Sequence, residues 1–475
     1  MADDGVAQLP ETFDVIVLGL GPGGGEVAER LAEAGQRVLG IEQHLVGGEC
    51  PYYGCIPSKM IVRAAGTLAE AGHVDQLAGT ARIEPDYRKV ADRIRDEATD
   101  DWNDQVAVDR LTGLGGHFVR GTGRFAGRDA SNRLQVEVNG RTFAADRVVV
   151  ATGTAPAVPP IPGLAELAGE QLSPDGLVWT NREVLQIRQA PASLLVIGGG
   201  AVGCELAQGL ARFGVRVTQF EGGVRILAPE EPEAAEVLAA VFEREGIALH
   251  TGVQIAAVRA GSEGVAIELA DGRSFEAERL LIAAGRRSHL PELGLDTVGL
   301  DPSAKTLDVD EHLRVAEGIY AVGDVTGRGP FTHVAVWQAR ILVAHLLDRT
   351  EHYGGYDALA WVTFTDPEVG RVGKSEHQAR AEGIDVAIGR TDIASSTRGW
   401  IHGPGNDGFG KLVADRSRGV LVGATVVAPS GGELLGLLTL AVHAQVPISS
   451  LASMHYAYPT LHRAVLEAVN ALPTG

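Results

Sequence analysis

Residues 13–25, Phe13-Asp-Val-Ile-Val-Leu-Gly-Leu-Gly-Pro-Gly-Gly-Gly25, read as an apolar strand running into a glycine turn. A helical stretch follows, apolar at Val27, Leu31 and Ala34 and ending at Gly35. A second strand, Val38–Ile41, then closes on an acidic residue, Glu42. One such turn is weak evidence in a chain with 62 glycines. A second copy decides the matter. Adding 179 to each number recovers the same grammar: Leu194–Ile197, Gly198-x-Gly200-x-x-Gly203, Leu210, Gly214, Val217 and Glu221. In both copies the glutamate stands 23 residues after the first glycine.

This is the pattern of a Rossmann βαβ unit. Gly19 permits the tight turn, Gly21 lets backbone approach a pyrophosphate, and Gly24 allows close helix–strand packing. Gly198, Gly200 and Gly203 repeat those roles. The phosphates sit at a helix N-terminus, where free N–H groups and the helix dipole favour negative charge. Glu42 and Glu221 accept hydrogen bonds from adenosine ribose hydroxyls. Two dinucleotide sites imply a flavin dinucleotide paired with a nicotinamide dinucleotide. A carboxylate at 221 attracts a ribose 2′-OH and repels a 2′-phosphate, so NAD(H) is expected over NADP(H). Arg225, four residues on, would soften that preference.

Further segments fit the plan. Arg147-Val-Val-Val-Ala-Thr152-Gly153-Thr is a strand entering a small-residue turn, and Pro156–Pro162 is a natural linker. Gly318-Ile-Tyr-Ala-Val-Gly323-Asp324 is a short strand ending on a Gly-Asp pair. From Tyr356 the pattern changes to alternating strands, such as Lys411–Ala414 and Leu421–Val427, and an apolar helix near Leu434–His443. Residues 65–110 are rich in Ala and charge at helical spacing and read as scaffold. The expected fold is α/β, with two Rossmann-like dinucleotide-binding domains and a C-terminal α+β domain. At roughly 150 residues per domain, the 475-residue length agrees with three.

Composition excludes other classes. Lys+Arg 41 against Asp+Glu 61 gives a net charge of −20, which disfavours nucleic acid or an anionic membrane as partner. The acidic N-terminus, Met1–Thr12, has no basic region, and the first apolar run is too short for a signal peptide or a membrane span. A cytoplasmic protein is expected. Three cysteines rule out a disulfide framework, and a close pair in a reducing compartment points to redox or metal chemistry.

That pair lies in Gly47-Gly-Glu-Cys50-Pro-Tyr-Tyr-Gly-Cys55-Ile-Pro-Ser-Lys59. On an ideal helix, residues five apart have Cα atoms about 8.7 Å apart. A disulfide needs about 4.4–6.8 Å. The pair therefore bridges only across a distorted turn, which Pro51 and Gly54 allow. Lys59 follows Cys55 by four residues, so its ammonium can share that sulfur's face and favour the thiolate. Only five lysines occur in the chain, which makes this one conspicuous. A metal site needs further Cys or His ligands at short spacing and none lies nearby, so no metal is expected. Two unrelated buried cysteines are the bland alternative. The flanking Gly-Gly and Pro-Ser-Lys favour redox function. Cys204, just after the second glycine turn, reads as a packing residue.

With these motifs the chain resembles the pyridine nucleotide-disulfide oxidoreductases of the glutathione reductase and dihydrolipoamide dehydrogenase group. The resemblance runs over essentially the whole length. It rests on the first glycine motif, Cys50-x4-Cys55 with Pro-Ser-Lys59, Ala151-Thr152-Gly153, and the second glycine motif with Glu205. Ala284-Gly285-Arg286, Gly323-Asp324 and Thr363-Phe-Thr-Asp-Pro-Glu-Val-Gly370 complete it. It implies an FAD-binding domain at 1–156 with 286–352, an NAD(P)-binding domain at 157–285 and a dimerisation domain at 353–475. It implies FAD in the first site, Asp324 near its ribityl chain and Thr332 near its ring, and a homodimer. Cys55 becomes the sulfur nearest the flavin, Cys50 the interchange thiol, and Lys59 with Glu205 an ion pair beside the flavin. The implied activity passes electrons from NAD(P)H through FAD to the cysteine pair and on to a small disulfide.

The chain departs from the family at one place. The family's C-terminal signature is His-Pro-Thr-x-x-Glu, whereas this chain reads Tyr458-Pro459-Thr460-Leu-His462-Arg463. Tyr458 replaces the acid–base imidazole and Arg463 the orienting glutamate. A free phenol is almost wholly protonated at pH 7, which suits hydrogen-bond donation better than base catalysis. Tyr458 as a functional group and Tyr458 as a space filler both stay open, as do His455 and His462 as substitutes. A helix starting at Pro459 would bring His462 onto the face of Tyr458. The departure supports an alternative, a quinone or other non-disulfide acceptor, a metal ion included. Mercuric reductases carry a C-terminal cysteine pair that this chain lacks.

Overall fold

Thr12–Leu18 (β1) is apolar and buried from Val15 onward, as the centre of a strand paired on both edges must be. In the computed structural model it runs parallel to Val38–Glu42 (β2) on one side and to Arg141–Val150 on the other. Val17 lies opposite both Gly40 and Val149. The crossover is the helix Pro22–Glu33 (α1), with Pro22 in its first turn, where a missing N–H costs no hydrogen bond. The described residues are 9–262, 264–350 and 354–473. The readings of residues 1–8, the expected 352/353 domain limit and the last two residues lie outside them.

The chain divides into two compact units. The first takes Met1–Pro57, Asp92–Ala157 and Arg286–Tyr353. Among the described residues its sheet has eight strands, with β1 flanked by β2 and His117–Arg120 on one side. Arg141–Val150, Ile319–Ala321 and Arg314–Ala316 lie on the other. Leu134–Val138 and Arg124–Arg128 extend it antiparallel. The helix Thr332–Leu346 packs on α1, so close that a Cβ on Gly23 would meet Ala335 at 3.2 Å.

After β2 come Glu49–Tyr53 (α2) and Cys55–Gly72 (α3), and the 65–110 stretch continues with Tyr87–Arg93, a wider turn over Ile94–Ala98, and Gln105–Gly113. Between the last two, Asp100, Asp101 and Trp102 stand at φ of 47°, 53° and 57°. Three consecutive non-glycine residues in the left-handed region cost on the order of 1 kcal/mol each.

The second unit takes Ser58–Ala91, Val158–Gly285 and Gly354–Gly475. A five-stranded parallel sheet centres on Ser193–Ile197, beside Arg216–Glu221 and Arg279–Ile282. The C-terminal part is a five-stranded antiparallel sheet covered by the helices Gly431–His443 and His462–Asn470. The expected nicotinamide and dimerisation domains thus fall in one unit, and residues 58–91 group with them instead of with the first glycine motif. Among the described residues no helix is long and apolar enough to cross a membrane.

Candidate active site

The two glycine turns are tight on the protein side and open on the other. Gly19 has φ +91°, and a Cβ there would lie 2.5 Å from the Ala151 carbonyl oxygen. A Cβ on Gly24 would overlap the Gly19 carbonyl, while Gly21 faces nothing nearer than the Gly48 Cα at 4.0 Å. The second copy behaves alike. Gly198 has φ +114° and abuts the Ala283 carbonyl, Gly203 abuts the Gly198 carbonyl, and Gly200 has open space before it. Neither α1 nor the helix Ala201–Ala211 has a side-chain N-cap, so their first amides are left for an anion. These cradles fit two dinucleotide pyrophosphates.

The repeat extends to hydrogen bonds. Glu42 accepts N–H bonds from Leu20 and His44, each at 2.8 Å. Glu221 accepts them from Gly199 and Gly223, each at 2.6 Å. Each carboxylate is fixed at its strand end and keeps lone pairs for ribose hydroxyls. Arg225 donates to the carbonyls of Leu227, Ala228 and Glu230 at 2.8–3.0 Å, so its guanidinium is committed to the loop and not aimed at a phosphate.

Thr152 Oγ1 is buried without a partner, next to the Gly19 turn, and Gly153 and Gly285 both stand at positive φ with open space before them. A bound polar ligand would satisfy that hydroxyl. Asp324 accepts a 2.6 Å bond from the Thr154 hydroxyl, which in turn accepts from Arg286 Nε at 2.7 Å. Buried Gln338 takes the Gly323 N–H at 2.7 Å and donates to the Thr326 hydroxyl at 3.1 Å. Thr154 and Gln338 were not anticipated. The only sequence signal is a Gln on an otherwise apolar helix face.

The helix carrying the cysteine pair is broken where the pair requires it. α2 ends at Tyr53, Gly54 adopts φ −143° and ψ −113°, and α3 restarts at Cys55. Gly54 supplies the distortion, while Pro51 sits within α2. Cys50 is half-buried and Cys55 exposed, both as thiols. Cys55 Sγ lies 3.4 Å from Thr332 Oγ1, at the start of the helix Thr332–Leu346. A hydrogen bond to Cys55, then burial, push the Cys50 thiol far above the ordinary thiol range, and the Thr332 hydroxyl pulls the other way. Cys204 is fully buried, 3.4 Å from the Gly199 carbonyl, and burial pushes its thiol up to about 12, in keeping with a packing residue.

Lys59 lies on α3, four residues after Cys55. Its ammonium meets Glu205 at 2.7 Å and stands 4.7 Å from the centroid of the Phe364 ring. The second carboxylate oxygen of Glu205 takes the Phe364 N–H at 2.8 Å. The Glu205 side chain is only 6% exposed, so its removal strands both a cation and an amide. Glu205→Leu is expected to cost about 3 kcal/mol in urea unfolding of the flavin-loaded protein. The double variant Lys59→Met/Glu205→Leu should regain more than half of that, because it leaves no unpaired charge. An unchanged midpoint in the single variant would refute the pairing.

Tyr458 is 64% exposed, with the Arg463 guanidinium 5.5 Å from its ring centroid. The helix begins at His462 and not at Pro459, so the condition that would place His462 on the face of Tyr458 is not met. His455 is exposed too. The first unit thus brings together Gly19, Gly21, Gly24, Glu42, Cys50, Cys55, Thr152, Gly153, Gly323, Asp324 and Thr332. The second holds Lys59, Gly198, Gly200, Gly203, Glu205, Glu221, Gly285 and Tyr458. Among the described residues no group of three or more His, Cys, Asp or Glu is placed to hold a metal ion.

Comparison with known proteins agrees with this geometry. Residues 13–339 match the family model described as pyridine nucleotide-disulphide oxidoreductase, and residues 359–469 match the dimerisation domain of the same family. The dihydrolipoyl dehydrogenase of Thermus scotoductus is 34% identical, over 97% of this chain and 98% of that protein. The dihydrolipoyl dehydrogenase of Halobacterium salinarum is 33% identical, over 98% and 97%. The crystal structure of LpdA from Mycobacterium tuberculosis superposes with a TM-score of 0.82 at 28% identity, covering 96% of this chain and 98% of that one.

Proposed function

The chain belongs to the pyridine nucleotide-disulphide oxidoreductases and is an FAD-dependent oxidoreductase, and from that premise we propose that it exchanges electrons between NAD(H) and a small disulfide of the lipoyl type. The observation that carries this reading is the helix broken at Gly54 between Cys50 and Cys55, whose side chains are hydrogen-bonded, with Thr332 on the Cys55 sulfur. The names of the relatives supply the lipoyl class.

Gly19, Gly21, Gly24, Glu42, Thr152, Gly153, Gly323, Asp324 and Thr332 would hold FAD, and Gly198, Gly200, Gly203, Glu221 and Gly285 the nicotinamide dinucleotide. When bound, the flavin supplies a group that accepts hydride and passes on an electron pair. Cys55 is assigned as the sulfur facing it and Cys50 as the thiol that attacks substrate. While it is a thiol, Cys50 can donate a hydrogen bond to Cys55, and it must give up that proton to attack substrate. Lys59 and Glu205 are assigned as the ion pair that the family resemblance implies, and Tyr458 as a hydrogen-bond donor in place of the family's imidazole. Glu221, with Arg225 tied to carbonyls, supports NADH over NADPH. We assign a homodimer through the C-terminal domain, a cytoplasmic location and the domain limits 1–156 with 286–352, 157–285 and 353–475.

The test is anaerobic turnover of the FAD-loaded protein with lipoamide, glutathione disulfide and a naphthoquinone, each with NADH and with NADPH. Lipoamide should be the fastest acceptor, and kcat/KM for NADH should exceed that for NADPH by at least about tenfold, as removal of a paired 2′-hydroxyl contact implies. Fast naphthoquinone turnover beside sluggish disulfides would contradict the proposed acceptor. Equal use of the two nucleotides would contradict the role of Glu221.

A further inference from the structure

The turn at residues 99–103 is built at a conformational cost and placed against the redox helix. Asp100, Asp101 and Trp102 are all left-handed, at φ 47°, 53° and 57°, and none is glycine. Such a run persists only where its surroundings over-determine it, and such outliers cluster at functional sites. Here the surroundings are explicit. Buried Thr99 bonds the Ile94 carbonyl at 3.0 Å and receives the Trp102 N–H at 3.4 Å. The Asp101 N–H bonds the Arg95 carbonyl at 2.7 Å, and the Asn103 N–H bonds the Thr99 carbonyl at 3.1 Å.

The turn delivers two groups to the cysteine segment. Trp102 Nε1 donates to the Tyr52 carbonyl at 3.2 Å. Asp104, buried, accepts the Val46 N–H at 2.6 Å and pairs with Arg120 at 2.5 Å. Val46 and Tyr52 bracket Cys50, so the segment is held from both ends.

We propose that Trp102 is a positioning residue for the redox pair: by holding the Tyr52 carbonyl it keeps the helix broken at Gly54, which allows Cys50 and Cys55 to close into a disulfide. The physical reason is competition for one acceptor. Tyr52 is among the last four residues of α2, whose carbonyls the helix itself does not satisfy. Left without the indole, that carbonyl is best satisfied by the amide of Ile56, four residues on, in a helix that runs through Gly54. A continuous helix would hold the two Cα atoms about 8.7 Å apart, beyond the reach of a disulfide. The indole removes the incentive for that continuation.

The proposal rests on the redox reading of Cys50 and Cys55, and its test separates the two. FAD-loaded parent and Trp102→Phe are equilibrated anaerobically in glutathione buffers, then acid-quenched, and thiols at positions 50 and 55 are counted by alkylation and mass spectrometry. In the reaction followed, the Cys50–Cys55 bond is reduced to two thiols while two glutathione thiols, giving up two protons and two electrons, become one glutathione disulfide. Phenylalanine keeps an aromatic ring and removes the N–H. The constant for closing the disulfide should fall at least tenfold, with flavin content and urea midpoint close to the parent. A constant within twofold of the parent overturns the positioning role. A parent that forms no Cys50–Cys55 disulfide in any buffer overturns the redox reading as well. Should Trp102→Phe not be recovered folded, replacing the indole by benzothiophene keeps its shape, removes only the donor, and is judged by the same constant.

Discussion

Cys50→Ser should lower NADH-dependent lipoamide reduction by about 10³-fold or more, with flavin content unchanged. An alcohol cannot form the disulfide through which electrons reach the substrate, and it is a far weaker nucleophile than a thiol. The substitution is nearly isosteric and leaves the Trp102–Tyr52 bond and the Thr332 contact to Cys55 untouched, so the break at Gly54 should persist. The cradle at Gly19, Gly21 and Gly24 does not touch position 50 within reach of a Cβ, so FAD should stay. Cys55→Ser should be as damaging, because the pair acts as a unit and losses within a unit do not add. Cys204→Ser is the control, and the assay is steady-state turnover with FAD-normalised enzyme. Residual activity within tenfold of the parent in Cys50→Ser would mean that electrons leave without using the pair.

The second large effect is expected in the first glycine turn. Gly24→Val should purify with less than a tenth of the parent's flavin. A Cβ at 24 would overlap the Gly19 carbonyl and lie 2.8 Å from the Ala151 Cβ, both fixed parts of adjoining strands and turn. Neither is the loose end of a long side chain, so relief requires α1 to lift from the sheet. Overpacking of this kind costs about 1–3 kcal/mol or more, and here the movement falls on the amides that hold the pyrophosphate. Flavin absorbance per chain measures the loss, and circular dichroism separates it from unfolding. A yellow variant with one flavin per chain would refute the assigned role of the first glycine turn.

The parts of this protein that sequence made legible are those governed by local rules. Gly19 and Gly198 are marked by the strand before and the helix after, and duplication removes the ambiguity of a single copy. Spacing alone also places Glu42 and Glu221 at the ends of their strands. It does not say that each takes the amide one past its glycine, because that contact depends on how β2 and its counterpart lie beside the turn.

Contacts between distant segments were out of reach. Thr154 and Asp324 are 170 residues apart, and Trp102 and Tyr52 are 50 apart. No periodicity connects them. The same holds for Lys411, a buried lysine paired with Glu231, Glu233 and Glu376 at 2.8–3.0 Å, whose sequence context is an ordinary strand. The cysteine segment lies between these extremes. Helix geometry requires a distortion between positions 50 and 55, yet it leaves Pro51 and Gly54 equally eligible. Gly54 carries it, since a proline in the first turn of α2 needs no hydrogen bond and disturbs nothing. Near the C-terminus, Pro459 is a good first helical residue by propensity, but the helix waits until His462, with the Thr460 hydroxyl bonded to the Ala457 carbonyl in the turn before it.

The central claim is that electrons from NADH arrive on Cys50 and Cys55. Its most direct test is to reduce the FAD-loaded protein with NADH under argon, quench it in acid, alkylate every thiol and map the label by mass spectrometry. The account predicts two newly labelled thiols per chain, at Cys50 and Cys55, with Cys204 labelled equally before and after. Bleaching of the flavin without any new label at Cys50 and Cys55 would contradict it.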